Sequence, residues 1–89
     1  MPTTFDVAQF HEQGQDVILV ITTGEPSDRQ WRYLQRCATD AGLRGLVAAV
    51  WDAGAGLLGF YGPEQWRPFL EGLTPAFVSG NINGRLTCR

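Results

Sequence analysis

The chain has 89 residues, the length of one ordinary domain, and this leaves no room for two hydrophobic cores. Hydrophobic residues make up 44% and charged residues 18%, a composition that excludes an intrinsically disordered chain. The formal net charge is −2 and all basic residues are Arg, without a cluster of positive charge. We therefore expect a single α+β domain over residues 1–89, with no nucleic-acid partner and no membrane partner.

Two strands are predicted in the first quarter of the chain. Residues 4–10 alternate weakly between two faces and predict a first strand. Residues 17–21 are apolar at every position and mostly β-branched, which is typical of a strand covered on both faces. This longest apolar run is far shorter than the about 20 residues that cross a bilayer. Residues 1–6 lack the basic and apolar segments of a signal peptide, so we expect a cytoplasmic location.

A capping box marks the first helix, because Ser27 and Gln30 stand at the spacing at which each side chain satisfies the other residue's backbone. Apolar side chains follow at helical spacing: Trp31, Leu34, Ala38 and Ala41, with Cys37 beside them. Gly42 is placed to end the helix in a left-handed conformation, with Leu43 packing back on it.

An antiparallel hairpin is predicted next. Residues 46–51 and 57–61 read as apolar strands, and the glycine-rich residues 52–56 are short enough to be the turn between them. This turn also begins the pattern G-x-G-x-x-G, Gly54 to Gly59. A dinucleotide site needs a helix starting at those glycines, and the Gly-Pro pair at 62–63 leaves no room for one. We favour a glycine-rich turn over nucleotide binding.

The last third predicts one more helix and two short strands. Apolar residues recur at helical spacing in Trp66, Phe69, Leu70 and Leu73. Pro68 within them predicts either a kink or a helix that begins near Arg67. Residues 76–82 predict a strand, and Asn83–Gly84 is a strong hairpin signal that would pair it with residues 85–88.

Without the first and last strands, this order of elements is βαββαβ from residue 16 to residue 82. It predicts a ferredoxin-like core, which is an antiparallel sheet with two helices on one face, plus an N-terminal strand and a short C-terminal strand. This fold serves many unrelated functions and does not indicate one.

We find no catalytic or metal-binding pattern, and we expect no enzyme activity, no cofactor and no metal site. His11 is the single histidine and has no second ligand nearby. Cys37 lies beside an apolar helical stripe and predicts a buried, inert thiol, whereas Cys88 is expected to be exposed. Two cysteines in a domain of this size do not predict a disulfide framework.

The three main strands are apolar on both faces, yet two helices cover only one face of such a sheet. The terminal strands, a second subunit or a ligand would have to cover the other. We therefore expect a non-enzymatic interaction module that forms a homodimer through this apolar sheet face, with Trp51 and Tyr61 in the interface. Two alternatives stay open. One is a domain or minor enzyme that binds a small apolar or aromatic molecule in an aromatic cleft, and the other is an inhibitor or antitoxin-like partner of another protein.

Overall fold

A computed structural model describes residues 3–88 as a five-stranded sheet with helices on both faces. The strands are β1 (Thr3–Glu12), β2 (Gln15–Ile21), β3 (Leu46–Gly54), β4 (Leu57–Tyr61) and β5 (Gly84–Cys88). The helices are α1 (Asp28–Asp40), α2 (Arg67–Glu71) and α3 (Pro75–Asn81), with a 3₁₀ turn at Glu64–Trp66. Residues 1, 2 and 89, which the single-domain prediction includes, lie outside the described part of the chain.

The sheet has the strand order β4-β3-β2-β1-β5. β2 and β3 are parallel and are connected through α1, and the other neighbouring strands are antiparallel. The predicted α+β class is confirmed. The strand order and the parallel pair do not clearly match a ferredoxin-like sheet, and the prediction of an all-antiparallel sheet is wrong.

Two hydrophobic clusters lie on opposite faces of this sheet, because successive side chains of a strand point to opposite sides. On one face α1 contributes Leu34 and Ala38, which pack against Ile18 and Val20. On the other face Leu70 of α2 and Val78 of α3 pack against another set of strand residues: Ala8, Val17, Leu19, Ala48 and Val50. The prediction that both helices share one face is therefore wrong. No helix within residues 3–88 is long and apolar enough to cross a membrane.

The first helix forms as its sequence signals predict. Ser27 is the N-cap, its Oγ accepts from the backbone N–H of Gln30, and the Gln30 side chain accepts from the N–H of Ser27. Gly42 has a φ of +79°, and the N–H of Leu43 donates to the carbonyl of Ala38 at 2.9 Å, which closes the helix in a Schellman motif.

The second helical segment resolves the alternative at Pro68. The helix begins at Arg67, and Pro68 lies in its first turn, where the missing N–H would have no helical partner.

The predicted strand over residues 76–82 is wrong. Thr74 caps α3 by accepting from the N–H of Phe77, and Pro75 takes the first helical position, so the Thr-Pro pair begins a helix despite the strand-like residues that follow.

The predicted hairpin at Asn83–Gly84 is also wrong, because β5 pairs with β1 and not with the segment before it. The Asn83 side chain accepts from the backbone N–H of Gln9 at 2.9 Å and donates to the Gln9 carbonyl at 2.8 Å. Asn83 thus occupies a strand-like position beside β1 and directs the chain into β5.

Cys37 and Cys88 form a disulfide that joins α1 to β5, with Cα atoms 5.4 Å apart. Cys37 is buried, as predicted, but it is not a free thiol. The prediction of an exposed Cys88 is wrong, since only 2% of its surface is exposed. Sequence spacing did not reveal the pair because its members are 51 residues apart and meet only when β5 lies beside β1.

Gly45 is required where the chain enters β3. Its φ is +139°, and a Cβ there would lie 2.5 Å from the carbonyl oxygen of Asp16. We expect Gly45→Ala to lower the free energy of unfolding by about 1–3 kcal/mol, measured by chemical denaturation. Gly24→Ala is the matched control, because a Cβ at Gly24 meets nothing within 4 Å. Equal stability of the two variants would contradict the close approach.

The disulfide closes a loop of 51 residues, for which loss of chain entropy in the unfolded state predicts a stabilisation of about 4 kcal/mol. We expect a thiol reductant, or the double variant Cys37→Ala with Cys88→Ala, to lower the denaturation midpoint accordingly. Reductant should leave the double variant unchanged. Two reactive thiols in the unfolded, unreduced protein would contradict the disulfide.

Candidate functional site

The two residues expected in an interface, Trp51 and Tyr61, lie on the same face of the sheet. Trp51 is paired with Gly59 and Ala49 with Tyr61 in the β3–β4 hairpin, so Trp51 and Tyr61 are diagonal neighbours. Their face is the one that carries α1, because Tyr61 contacts Trp31 of that helix. The sequence had left this face assignment open.

The indole ring of Trp51 lies directly over Gly59. A Cβ at Gly59 would overlap the ring at Cε2, Nε1 and Cζ2, so only glycine allows this ring position. A glycine inside a strand often marks a place where another group closely approaches the backbone. Here that group is the indole ring of Trp51. Trp51 is therefore held flat against β4, half-buried, with the remainder of its surface facing outward.

Tyr61 connects β4 to the first turn of α1. Its ring centroid lies 5.2 Å from that of Trp31, and its hydroxyl donates to Oδ1 of Asp28. The hydrogen bond to the Asp28 carboxylate is the main cause that raises the pKa of Tyr61. Desolvation and the negative charges of Asp28 and Glu25 raise it further, and Arg32 opposes them.

Apart from the contact of Trp31 with Tyr61, the helix α1 leaves the β3–β4 end of this sheet face uncovered. Its buried side chains pack on β1, β2, β5 and the start of β3. Trp51, Tyr61 and Leu57 follow on the same face, and Leu57 is 66% exposed. We call Trp31, Trp51, Leu57 and Tyr61 the aromatic surface. This apolar region includes Leu57 and Tyr61 of the edge strand β4.

The two edges of the sheet differ in how they are protected. β4 forms one edge and consists of Leu-Leu-Gly-Phe-Tyr, without a charged residue or a proline. β5 forms the other edge and carries Arg85, whose exposed guanidinium lies 3.7 Å from Asp6. Charges and prolines are the usual devices that stop an edge strand from pairing with another chain. β4 has neither, and its outer backbone groups have no strand neighbour within residues 3–88.

The other candidates from the sequence have structural roles. Gly54, Ala55 and Gly56 all have positive φ and form the hairpin turn, with β4 and not a helix after them. His11 is exposed at the end of β1, with Nδ1 2.8 Å from Oδ1 of Asp16. In the described part of the chain, no group of three His, Cys, Asp or Glu side chains is placed to hold a metal ion.

A cleft that the sequence did not reveal lies between the β3–β4 hairpin and α3, with a volume of about 360 Å³. An aromatic cleft between sheet and helices was one alternative left open by the sequence; the lining of this cleft is mostly aliphatic and includes the aromatic residue Trp51. Its position was missed because its far wall, α3, was predicted to be a strand. The Thr-Pro pair at 74–75 was the signal that identifies the helix.

Comparisons with protein-family models, with curated proteins and with solved structures find no match to this chain.

We expect Asp28→Asn to lower the pKa of Tyr61 towards its usual value, because the main cause of the raised pKa is the bond to the Asp28 carboxylate. A raised pKa on folding means stabilisation that is complete below the pH at which a free tyrosine titrates and is lost as the pH rises through the folded pKa. The Asp28→Asn variant should lose the stabilisation that comes from the raised pKa of Tyr61.

Absorbance of the phenolate measures the pKa, with Tyr33→Phe as the background so that Tyr61 titrates alone. Glu25→Gln is the control and should lower the pKa less, since Glu25 contributes least of the groups that raise it. Identical titration of Tyr61 with and without Asp28→Asn would contradict the hydrogen bond.

Proposed function

We propose that this chain is a non-enzymatic protein-interaction module that forms a homodimer by pairing β4 with β4 of a second copy. The observation that supports this most directly is an apolar edge strand without a charge or a proline, flanked by the aromatic surface. The sequence placed the interface on an apolar face of the sheet. Since helices lie on both faces, the edge of the sheet is the better site.

The residues of β4 suit pairing around a two-fold axis. In an antiparallel pair centred on Gly59, Leu57 of one copy stands opposite Tyr61 of the other, and the relation holds in both directions. Both residues lie on the α1 face, so Leu57, which is 66% exposed, would be covered by an aromatic ring. Trp51 of each copy would border this contact.

A non-enzymatic role fits the state of the cysteines. Both sulfur atoms are used by the Cys37–Cys88 disulfide, so neither is a nucleophile in this state. The cytoplasmic location expected from the sequence stays a prediction, to be tested by cell fractionation. A structural disulfide persists more readily in an oxidising compartment, which weighs against that location.

The alternative of an inhibitor or antitoxin-like partner would use the same edge with a strand from another protein. We favour a second copy because β4 supplies both halves of a self-complementary contact. Co-purification from the native host distinguishes the two cases, since a stoichiometric second protein would support the heterologous partner.

We expect Leu57→Lys to convert a dimer into a monomer at micromolar concentration, because it places a charged side chain opposite Tyr61 of the second copy, in a contact that would bury the charge. Analytical ultracentrifugation measures the mass. Thr87→Lys is the matched control: it adds the same charge to the exposed side of the other edge strand and should leave the dimer intact. A monomeric wild-type protein, or a Leu57→Lys variant that stays dimeric, would contradict the β4 interface.

A further inference from the structure

The cleft lies between the β3–β4 hairpin and α3, and Trp51 of the aromatic surface also forms part of its lining. Its volume of about 360 Å³ falls within the range of small-molecule sites, although towards the lower end. Its walls are mainly aliphatic side chains from the sheet and α3: Ile21, Val50, Leu58, Val78 and Ile82. Ile82, at the rim, is 40% exposed, so apolar surface is open to a ligand there.

The cleft is also at a favourable place in the topology. β2 and β3 are parallel, and Ile21 and Val50 are paired near their carboxyl ends. Beyond Ile21 the chain leaves the sheet for α1 on the other face, whereas β3 continues into the hairpin. Ligands of sheets with parallel strands commonly bind in the crevice at these carboxyl ends.

A single ionisable side chain, Asp52, lines the cleft. Asp52 is paired with Leu58, which belongs to the core on the α2 and α3 side, so its side chain lies on that face of the sheet, where it is exposed to solvent. Oδ1 accepts from the backbone N–H of Gly54 at 2.8 Å, which fixes the carboxylate. Within residues 3–88 the structure gives Oδ2 no hydrogen-bond partner, so this oxygen is free for a ligand.

The charge of the lining selects among ligands. Asp52 supplies a negative charge, and no Arg or His lines the cleft within the described residues. Ser79 of α3 adds a neutral hydroxyl. An anion would meet repulsion without a compensating cation, whereas an ammonium group gains a charge-assisted hydrogen bond to the carboxylate.

We propose that this cleft binds a small apolar molecule that carries a primary amine. The ammonium donates to Oδ2 of Asp52, and the hydrocarbon part packs against Ile21, Leu58 and Ile82, the aliphatic lining residues with exposed surface. Burial of apolar surface supplies most of the affinity. The ion pair is partly exposed to solvent, so we expect it to change the affinity by only about fivefold.

The test uses 2-phenylethylamine as the probe and 3-phenylpropionate as its charge-reversed comparison. In an NMR titration of ¹⁵N-labelled protein, we expect the amine to shift amide signals of the β3–β4 hairpin and α3 in a saturable way. The carboxylate should bind at least fivefold more weakly. Because the readout is amide shifts, the result does not depend on whether β4 forms a dimer.

Asp52→Asn retains an oxygen that accepts from Gly54 but removes the charge, and we expect it to weaken binding of the amine about fivefold. Asp40→Asn, at the end of α1, is the control and should leave binding unchanged. If Asp52→Asn disturbs the fold, Ser79→Arg, an exposed position on α3, tests the same point by reversing the preference towards the carboxylate.

Three outcomes would overturn the proposal. They are no saturable shifts with the amine, shifts that map outside the hairpin and α3, and equal affinity for the amine and the carboxylate in the wild-type protein.

Discussion

The two parallel strands at the centre of the sheet are buried on both sides, and the rest of the molecule follows from this. Residues 17–20 of β2 and 47–50 of β3 have almost no exposed surface. Strands of this composition need a cover on each face, because neither set of side chains tolerates water. The helix α1 covers one face, and the short helices α2 and α3 together cover the other. Most of both faces is covered by the chain itself, so the surfaces left for partners are the uncovered β3–β4 end of the α1 face, the edges of the sheet and the clefts.

The two edge strands, β4 and β5, differ in the contacts that hold them and in the charges that they carry. β5 is held by three kinds of bond: its ladder with β1, the Asn83 side chain that precedes it, and the disulfide from Cys88 to α1. Arg85 adds a charge on its exposed side. β4 is held by its hairpin ladder with β3, by the packing of Leu58 and Phe60 on the core, and by the contacts of Tyr61 with Asp28 and Trp31, without a disulfide or a charged residue. The molecule therefore has one protected and one open edge, and this asymmetry is the main support for self-association through β4.

The β3–β4 hairpin takes part in both proposed sites because strand residues alternate between faces. Trp51, Leu57 and Tyr61 of the hairpin belong to the aromatic surface beside α1. Asp52 and Leu58, each one residue away along the chain, line the cleft beside α3. Adjacent residues of the hairpin therefore contribute to different proposed sites, one for a protein and one for a small amine. The two sites share Trp51, so they are altered separately at residues that belong to one site alone, Leu57 for the β4 edge and Asp52 for the cleft.

Local sequence signals were sufficient to predict the elements whose boundaries depend on residues nearby in the chain. These are α1 with its Ser27 cap and Gly42 end, the apolar strands β2 and β3, and the 52–56 turn, whereas the structure had to decide between the two alternatives at Pro68. The interface role of Trp51 and Tyr61 stays a prediction, and the sheet face that they share was not predicted from the sequence. Tertiary structure alone decided the parallel pairing of β2 with β3, the place of β5 beside β1, and the Cys37–Cys88 disulfide. The physical reason is that hydrophobic periodicity records only that a residue is buried. Which distant segment covers it depends on how all the layers pack together, and that information is not contained in any one stretch of the chain.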